Sequence, residues 1–246
     1  MKRTILITGS AKRLGAALAI ALAKDGHRIA IHFRSSLSEA QETQRTIAGA
    51  GGDAAVFQSP LAGLGDGERL MNDVAAHFGN FDTLINNAGT FTRKRFEELT
   101  QEDWETGFAS TAGAAFFATR AALPRLRSSG RGRIINLGDA MSGRTGFTEP
   151  AMSYYIGKMG VWMMTQTLAQ TEAPHKITVN MISPGVLADS TCPTPVSEMP
   201  GGRFGTYEDV LHPVHFLLDE SSGAVTGSHL HAGGGWNMAP RDGCSL

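Results

Sequence analysis

Thr4-Ile5-Leu6-Ile7-Thr8-Gly9-Ser10-Ala11-Lys12-Arg13-Leu14-Gly15 reads as a buried strand, a glycine turn and the opening of a helix. The short apolar run at 4–8 stops at Gly9, as a buried strand does. Leu14, Ala17, Leu18, Ala21 and Leu22 then recur at helical spacing. Gly9 permits a sharp turn and close backbone approach, and Gly15 lets helix and strand pack tightly. Free N–H groups at the helix start, with the positive end of its dipole, suit a pyrophosphate. Two glycines at this spacing are common; their place directly after the first strand gives them meaning. Gly9, Lys12, Arg13 and Leu14 are therefore candidates for holding a dinucleotide.

The same alternation continues outward. Strands are expected at 28–33, 53–58, 82–86, 133–137, 176–182 and 228–231. Helices are expected at 38–50 (capped by Ser36 or Ser38), 67–77, 152–172 and 207–218, with a long helical tract at 102–127 that contains Gly113. Strands separated by helices mean right-handed crossovers, so the fold class is α/β: a Rossmann-type, doubly wound parallel sheet with helices on both faces. Residues 1–246 suit a single domain with a sizeable core. The segment 186–205 breaks the rhythm with Pro193, Pro195, Pro200, Gly201, Gly202 and Gly205. It follows strand six at the ligand-binding edge of the sheet, and reads as a mobile substrate lid or a plain surface excursion.

Composition narrows the function classes. An apolar fraction of 41% suits a globular chain, and a net charge of −1 makes no case for nucleic acid or membrane as a partner. Cys192 and Cys244 have no metal-ligand spacing and suggest no disulfide framework, so no metal is expected and a reduced, cytoplasmic setting fits. The N-terminal apolar run is too short for a signal segment, and no run approaches transmembrane length.

The second strand ends His32-Phe33-Arg34-Ser35-Ser36. A carboxylate for a ribose 2′-hydroxyl is absent there. Arg34, Ser35, Ser36 and Arg13 can instead hold a 2′-phosphate, which favours NADP(H); the alternative is that Arg34 is only a solvated charge. Asn86-Asn87-Ala88-Gly89 ends strand four, where small residues let backbone approach an adenosine or ribose, or form a purely structural turn.

Asn136-Leu137-Gly138-Asp139 and Tyr154-Tyr155-Ile156-Gly157-Lys158 carry the chemistry. Tyr154 and Lys158 share a helical face. A cation beside a phenol is expected to lower its pKa from about 10 toward working pH, making a proton donor for a reduction. Tyr155 lacks a lysine four residues on. Asp139 reads as a third member, and Ser142 is its rival.

In this order the motifs resemble the short-chain dehydrogenase/reductase family over essentially the whole chain. The Gly-rich turn, Asn86–Gly89, Tyr154-x-x-x-Lys158, Asn180-Met181-Ile182-Ser183-Pro184-Gly185 and the tail from Val225 to Gly235 carry the resemblance. Arg13, the His32-Phe33 pair, Phe91 and Asp139 in place of a serine look like pteridine reductases within it. The resemblance implies NADP(H)-dependent hydride transfer to a pterin-like small molecule. Tyr154 would deliver the proton with Asp139 as partner, and Lys158 would hold the nicotinamide ribose. Phe91 would stack on the substrate, Arg13 would reach phosphate and substrate, and Pro184 and Gly185 would border the cofactor. It also implies a homo-oligomer, a tetramer. Thr111, Pro60 and Ala232 depart from the family pattern. The alternatives are an NADPH-dependent carbonyl reductase acting on an oxoacyl thioester or small ketone, and a non-catalytic NADP-binding regulator.

Overall fold

The computed structural model describes residues 1–140, 142, 151–190 and 194–236. Cys192, Cys244 and most of the stretch between Asp139 and Ala151 lie outside the described residues. The elements run β1 (Thr4–Ile7), α1 (Arg13–Lys24), β2 (Arg28–Phe33), α2 (Leu37–Gly49), β3 (Asp53–Gln58), α3 (Leu64–Phe78) and β4 (Thr83–Asn86). They continue α4 (Gln101–Phe108), α5 (Ala114–Ser129), β5 (Arg133–Leu137), α6 (Met152–Glu172), β6 (Thr178–Pro184), α7 (Tyr207–Leu218) and β7 (His229–Ala232).

All seven strands are parallel, in the order β3-β2-β1-β4-β5-β6-β7. The chain reverses direction across the sheet between β3 and β4, so the crevice opens beyond the carboxyl ends of β1 and β4. Alternation within each strand divides the core. Ile5, Ile7, Ile29 and Ile31 face α1, α2 and α7, packing on Leu18, Leu22, Ile47 and Val214. Leu6, Leu84, Ile134 and Val179 face the other way, onto Leu70, Val74, Ala118 and Ala122 of α3 and α5. Each such aliphatic side chain contributes roughly 1.5–3 kcal/mol through burial.

The limits of β1, α2, α3, β4, β6 and β7 differ from those expected by one to three residues, and two of the differences from expectation have a clear physical reason. β6 begins at Thr178 rather than 176, because Lys176 is left-handed (φ 59°) and ends the short 3₁₀ turn Ala173–His175. The tract expected as one helix at 102–127 is interrupted by a π segment, Ala109–Gly113. There the Thr111 hydroxyl donates to the carbonyl of Gly107 at 2.7 Å, competing with the regular helical ladder.

The amino end of the sheet is closed by charge. Asp82 is 6% exposed and accepts from Arg3 (3.4 Å, itself 2% exposed) and Arg131 (2.6 Å). Arg3 also donates through Nε to Leu218 O, tying β1 to the end of α7. Removing the carboxylate strands buried guanidinium charge. Asp82→Ala is expected to lose roughly 3–5 kcal/mol of stability, measured by urea denaturation.

Candidate active site

Two turns form the floor of the crevice, and they are bonded to each other. The Thr8 hydroxyl accepts from the backbone N–H of Asn87 (3.0 Å) and of Ala88 (3.1 Å). The Asn87 amide donates to the carbonyls of Thr8 (3.0 Å) and Gly9 (2.9 Å). Gly9 sits at φ 63°, and a Cβ on it would stand 3.0 Å from Ala88 Cα. A Cβ on Gly15 would stand 2.5 Å from Gly9 O, so α1 lies directly on the turn. Below, Asn86 Nδ2 donates to Thr119 and to Asn136, and Asn136 donates to Thr165, linking β4, β5, α5 and α6.

His32 works behind this floor. It is 3% exposed; Nδ1 accepts from Gly9 N–H at 3.1 Å, and Nε2 lies 3.0 Å from Ser59 O. These partners fit the neutral ring protonated on Nε2. Burial lowers its pKa to about 4. His32 thus orients the turn, a use that its motif position did not reveal.

Above the floor is a cleft of about 280 Å³. Gly9, Asn87, Ala88 and Gly89 line its base; Lys12, Arg34, Ser35 and Ser36 line one wall; His32 and Phe33 back it. Pro60, Thr90 and Ser110 also border it. Leu14 instead packs its side chain on the core. Pro184 and Gly185 sit at the end of β6, where a Cβ on Gly185 would be 2.8 Å from Gly233 Cα.

Tyr154, Lys158, Asp139 and Phe91 come together at the inner end of the cleft. A Cβ on Gly89 would stand 3.5 Å from Tyr154 Cε2 and 3.6 Å from Lys158 Nζ. Phe91 meets Tyr154 edge to face, with centroids 5.1 Å apart, and Tyr155 at 6.1 Å. Lys158 is 3% exposed and donates to Leu137 O at 2.7 Å. Its Nζ lies 5.5 Å from the Tyr154 ring centroid, over the ring.

The expected acidification of Tyr154 is overturned. Burial, then the Asp139 carboxylate, raise its pKa well above 10, and only Arg13 opposes them. Lys158 donates one N–H to Leu137 O and lies over the ring, and it does not offset the effect of burial. Burial also lowers Lys158, to about 8, against the pull of Asp139. Asp139 begins a tight turn: its N–H donates to Ser142 Oγ (2.9 Å), and Ser142 N–H returns to Asp139 O (2.8 Å). Ser142, the rival serine, is thus 2% exposed and serves as the acceptor that shapes this turn.

Arg13 turns toward the 186–205 segment. At φ 55° it donates to Asp189 through Nε (2.9 Å, to Oδ2) and Nη2 (2.9 Å, to the carbonyl). Tyr207 OH donates to the same Oδ2 at 2.6 Å. Neither Asp189 nor Tyr207 belongs to a motif, so the sequence carries no signal for this contact. The segment is also tied at its base, where Ala188 N–H donates to Gly205 O and Gly205 N–H to Val186 O. Among the described residues, no three His, Cys, Asp or Glu side chains gather to hold a metal ion. No helix of the described residues is long and apolar enough to cross a membrane.

Residues 3–199 match the family described as short chain dehydrogenase. The chain belongs to that family. It is an NADP-dependent short-chain oxidoreductase. It is 27% identical to the 3-oxoacyl-acyl-carrier-protein reductase FabG of Staphylococcus aureus strain Mu50, over 97% of this chain and 99% of that one. Identity to the reductase of the same name from Aggregatibacter actinomycetemcomitans is 32%, over 96% and 99%. Among solved structures, acetoin dehydrogenase YohF from Salmonella typhimurium is similar at 27% identity and a TM-score of 0.86, over 98% of each chain. The acetoin dehydrogenase from Enterobacter cloacae is similar at 26% and 0.88, over 100% of each.

The buried neutral His32 has a pH consequence. Its pKa falls from 6.5 unfolded to about 4 folded, so the unfolded chain binds more protons between these values. Stability is then full above pH 6.5 and declines as pH falls toward 4. His32→Asn is expected to flatten that decline by up to about 3 kcal/mol, read as the difference between the two proteins' pH–stability curves.

Proposed function

We propose that the protein is an NADPH-dependent reductase of a small carbonyl compound or a 3-oxoacyl thioester. The observation that carries this reading is the convergence of Tyr154 and Lys158 on Gly89, at the inner end of the dinucleotide cleft. Its relatives named as oxoacyl reductases and the similar acetoin dehydrogenases support the substrate class.

The cleft suits the cofactor: two glycines whose Cβ would collide with the turns that floor it, the N-terminal end of α1 beside it, and cations with hydroxyls where a 2′-phosphate would lie. Gly9, Leu14, Asn87, Ala88 and Gly89 would border the dinucleotide, and Lys12, Arg34, Ser35 and Ser36 its 2′-phosphate. Pro184 and Gly185 would lie beside the nicotinamide. Bound NADPH supplies the hydride. Tyr154, held protonated by its surroundings, donates the proton to the substrate oxygen as negative charge develops there. Lys158 holds the nicotinamide ribose, and Arg13 offsets the phenolate left behind. The 186–205 segment closes the substrate side as a strap latched through Asp189 to Arg13. Copies of the chain pair through α4, α5 and α6, whose Trp104, Phe108, Phe116 and Met163 are exposed.

A second reading, reduction of a pterin-like ring, is favoured by two observations. A carboxylate, Asp139, stands where it acts on Tyr154, and the Phe91 ring packs beside that tyrosine. A carboxyl can both donate to and accept from ring nitrogens, and Phe91 offers a flat stacking face.

NADPH oxidation should be followed with acetoin, a 3-oxoacyl thioester, dihydrobiopterin and dihydrofolate. Turnover of the carbonyl compounds alone supports the first reading, and preference for the pterins replaces it with the second. Tyr154→Phe is expected to lower turnover by about 10²–10⁴-fold with NADPH binding retained. In a separate comparison of binding constants, Arg34→Ala should cut the preference for NADPH over NADH by roughly tenfold or more, reflecting one charge-assisted hydrogen bond.

A further inference from the structure

His229 and His231 lie two apart on β7, the edge strand of the sheet beyond β6. Residues along a strand alternate between its faces. Leu230 packs on the core beside α1 and α7, so the two histidines share the opposite face, beside α6. Their ring centroids stand 4.0 Å apart, with 32° between the ring planes. The Trp162 ring of α6 packs against His229, at 4.9 Å. His229 Nε2 lies 2.6 Å from the hydroxyl of Ser183, which is buried in β6. His231 is exposed.

We propose that His229 and His231 together chelate a divalent first-row transition ion of the Cu²⁺, Ni²⁺ and Zn²⁺ class. Imidazole suits these ions, and two nitrogens on one ion, each about 2.0–2.1 Å from it, stand roughly 3 Å apart. Rings this close, and tilted toward one another, meet that spacing through small side-chain rotations. In the tautomer that donates Nε2–H to Ser183, His229 presents the lone pair of Nδ1. A hydrogen bond on the far nitrogen is the support that fixes a ligating histidine. Burial, then the neighbouring His231, lower the His229 pKa to about 4, so protons compete little for that nitrogen near neutrality. Two imidazoles leave the remaining coordination positions to water, so the ion exchanges readily. Neither histidine lines the dinucleotide cleft, and the inference does not depend on the reading of Tyr154 and Lys158.

The test is titration calorimetry on the full chain, carrying no appended histidines and with both cysteines alkylated, against the chlorides of copper, nickel, zinc and magnesium. One ion per chain is expected, with Cu²⁺ held tighter than Ni²⁺ or Zn²⁺ and Mg²⁺ not held. Saturating Zn²⁺ should raise the melting temperature, because the ion binds the folded pair. His231→Gln, at an exposed position, should abolish the single-site isotherm, and His229→Asn should do the same. Ser183→Ala, which keeps both ligands, should weaken Zn²⁺ roughly tenfold to a hundredfold. His215→Asn, which removes a histidine of α7 paired with Asp25, should leave the isotherm unchanged. If His231→Gln keeps the wild-type affinity for Zn²⁺ while melting like the wild type without metal, the pair holds no ion and the proposal is overturned. Loss of binding in His215→Asn, or no saturable binding of Cu²⁺ or Zn²⁺ by the wild type, overturns it equally.

Discussion

The Thr8 hydroxyl and the Asn87 amide fasten the ends of β1 and β4 to one another, and the geometry of the crevice follows from that junction. Parallel strands end in carbonyls and N–H groups with no strand partner ahead of them. Here four hydrogen bonds between the two turns satisfy those groups, and the residues leading into α1, Ala11 and Lys12, line the cleft beside them. Gly9, Gly15 and Ala88 then have to be small, because the backbones they belong to lie almost in contact. His32 holds the same turn from behind, so three elements agree on one floor.

Electrostatics at the inner end of the cleft differ from a simple cation–phenol pair. The Tyr154 proton is retained by burial and by Asp139, and Lys158 is drained of basicity by its own burial. A donor that keeps its proton until an oxygen beside it gains charge is suited to reduction. Two cations act near the phenol: Lys158, whose Nζ lies 5.5 Å from the ring centroid, and Arg13, which weakly opposes the rise in the Tyr154 pKa. Arg13 in turn is committed to Asp189 in the 186–205 segment.

Strands with a bounded apolar run were legible to the residue: β2, β3 and β5 match their expected limits, as do α6 and α7. The matched strands are those whose runs are bounded by clear turn residues, not the most buried ones. β3 is a partly exposed edge strand, while the buried β1, β4 and β6 differ from their expected limits by one or two residues. The π segment was not legible, because it arises from a hydroxyl competing with the helical ladder and from glycines on a distant helix. Of the candidate site, the lining of the cleft by Gly9, Lys12, Arg34, Ser35 and Ser36 and the meeting of Tyr154 with Lys158 follow from motifs that local geometry demands. The Asp189–Tyr207 contact with Arg13 spans 176 residues and depends on how a proline- and glycine-rich segment folds back. The pKa directions were illegible for a related reason: a helical interval fixes that two residues share a face, and says nothing of which carbonyl the ammonium will choose.

The strap is fastened twice to the first turn of α7. Near one end Asp189 meets Tyr207, and near the other Arg203 grips Asp209, which also accepts from the Thr206 backbone and hydroxyl. Among the described residues between those clasps, Met199 is buried, and Pro200 and Gly201 lie close against Gly235 and Gly234. A substitution at Met199 or Pro200 would therefore be felt at the glycine-rich tail as well as at the strap, so this margin of the fold answers to two partners at once.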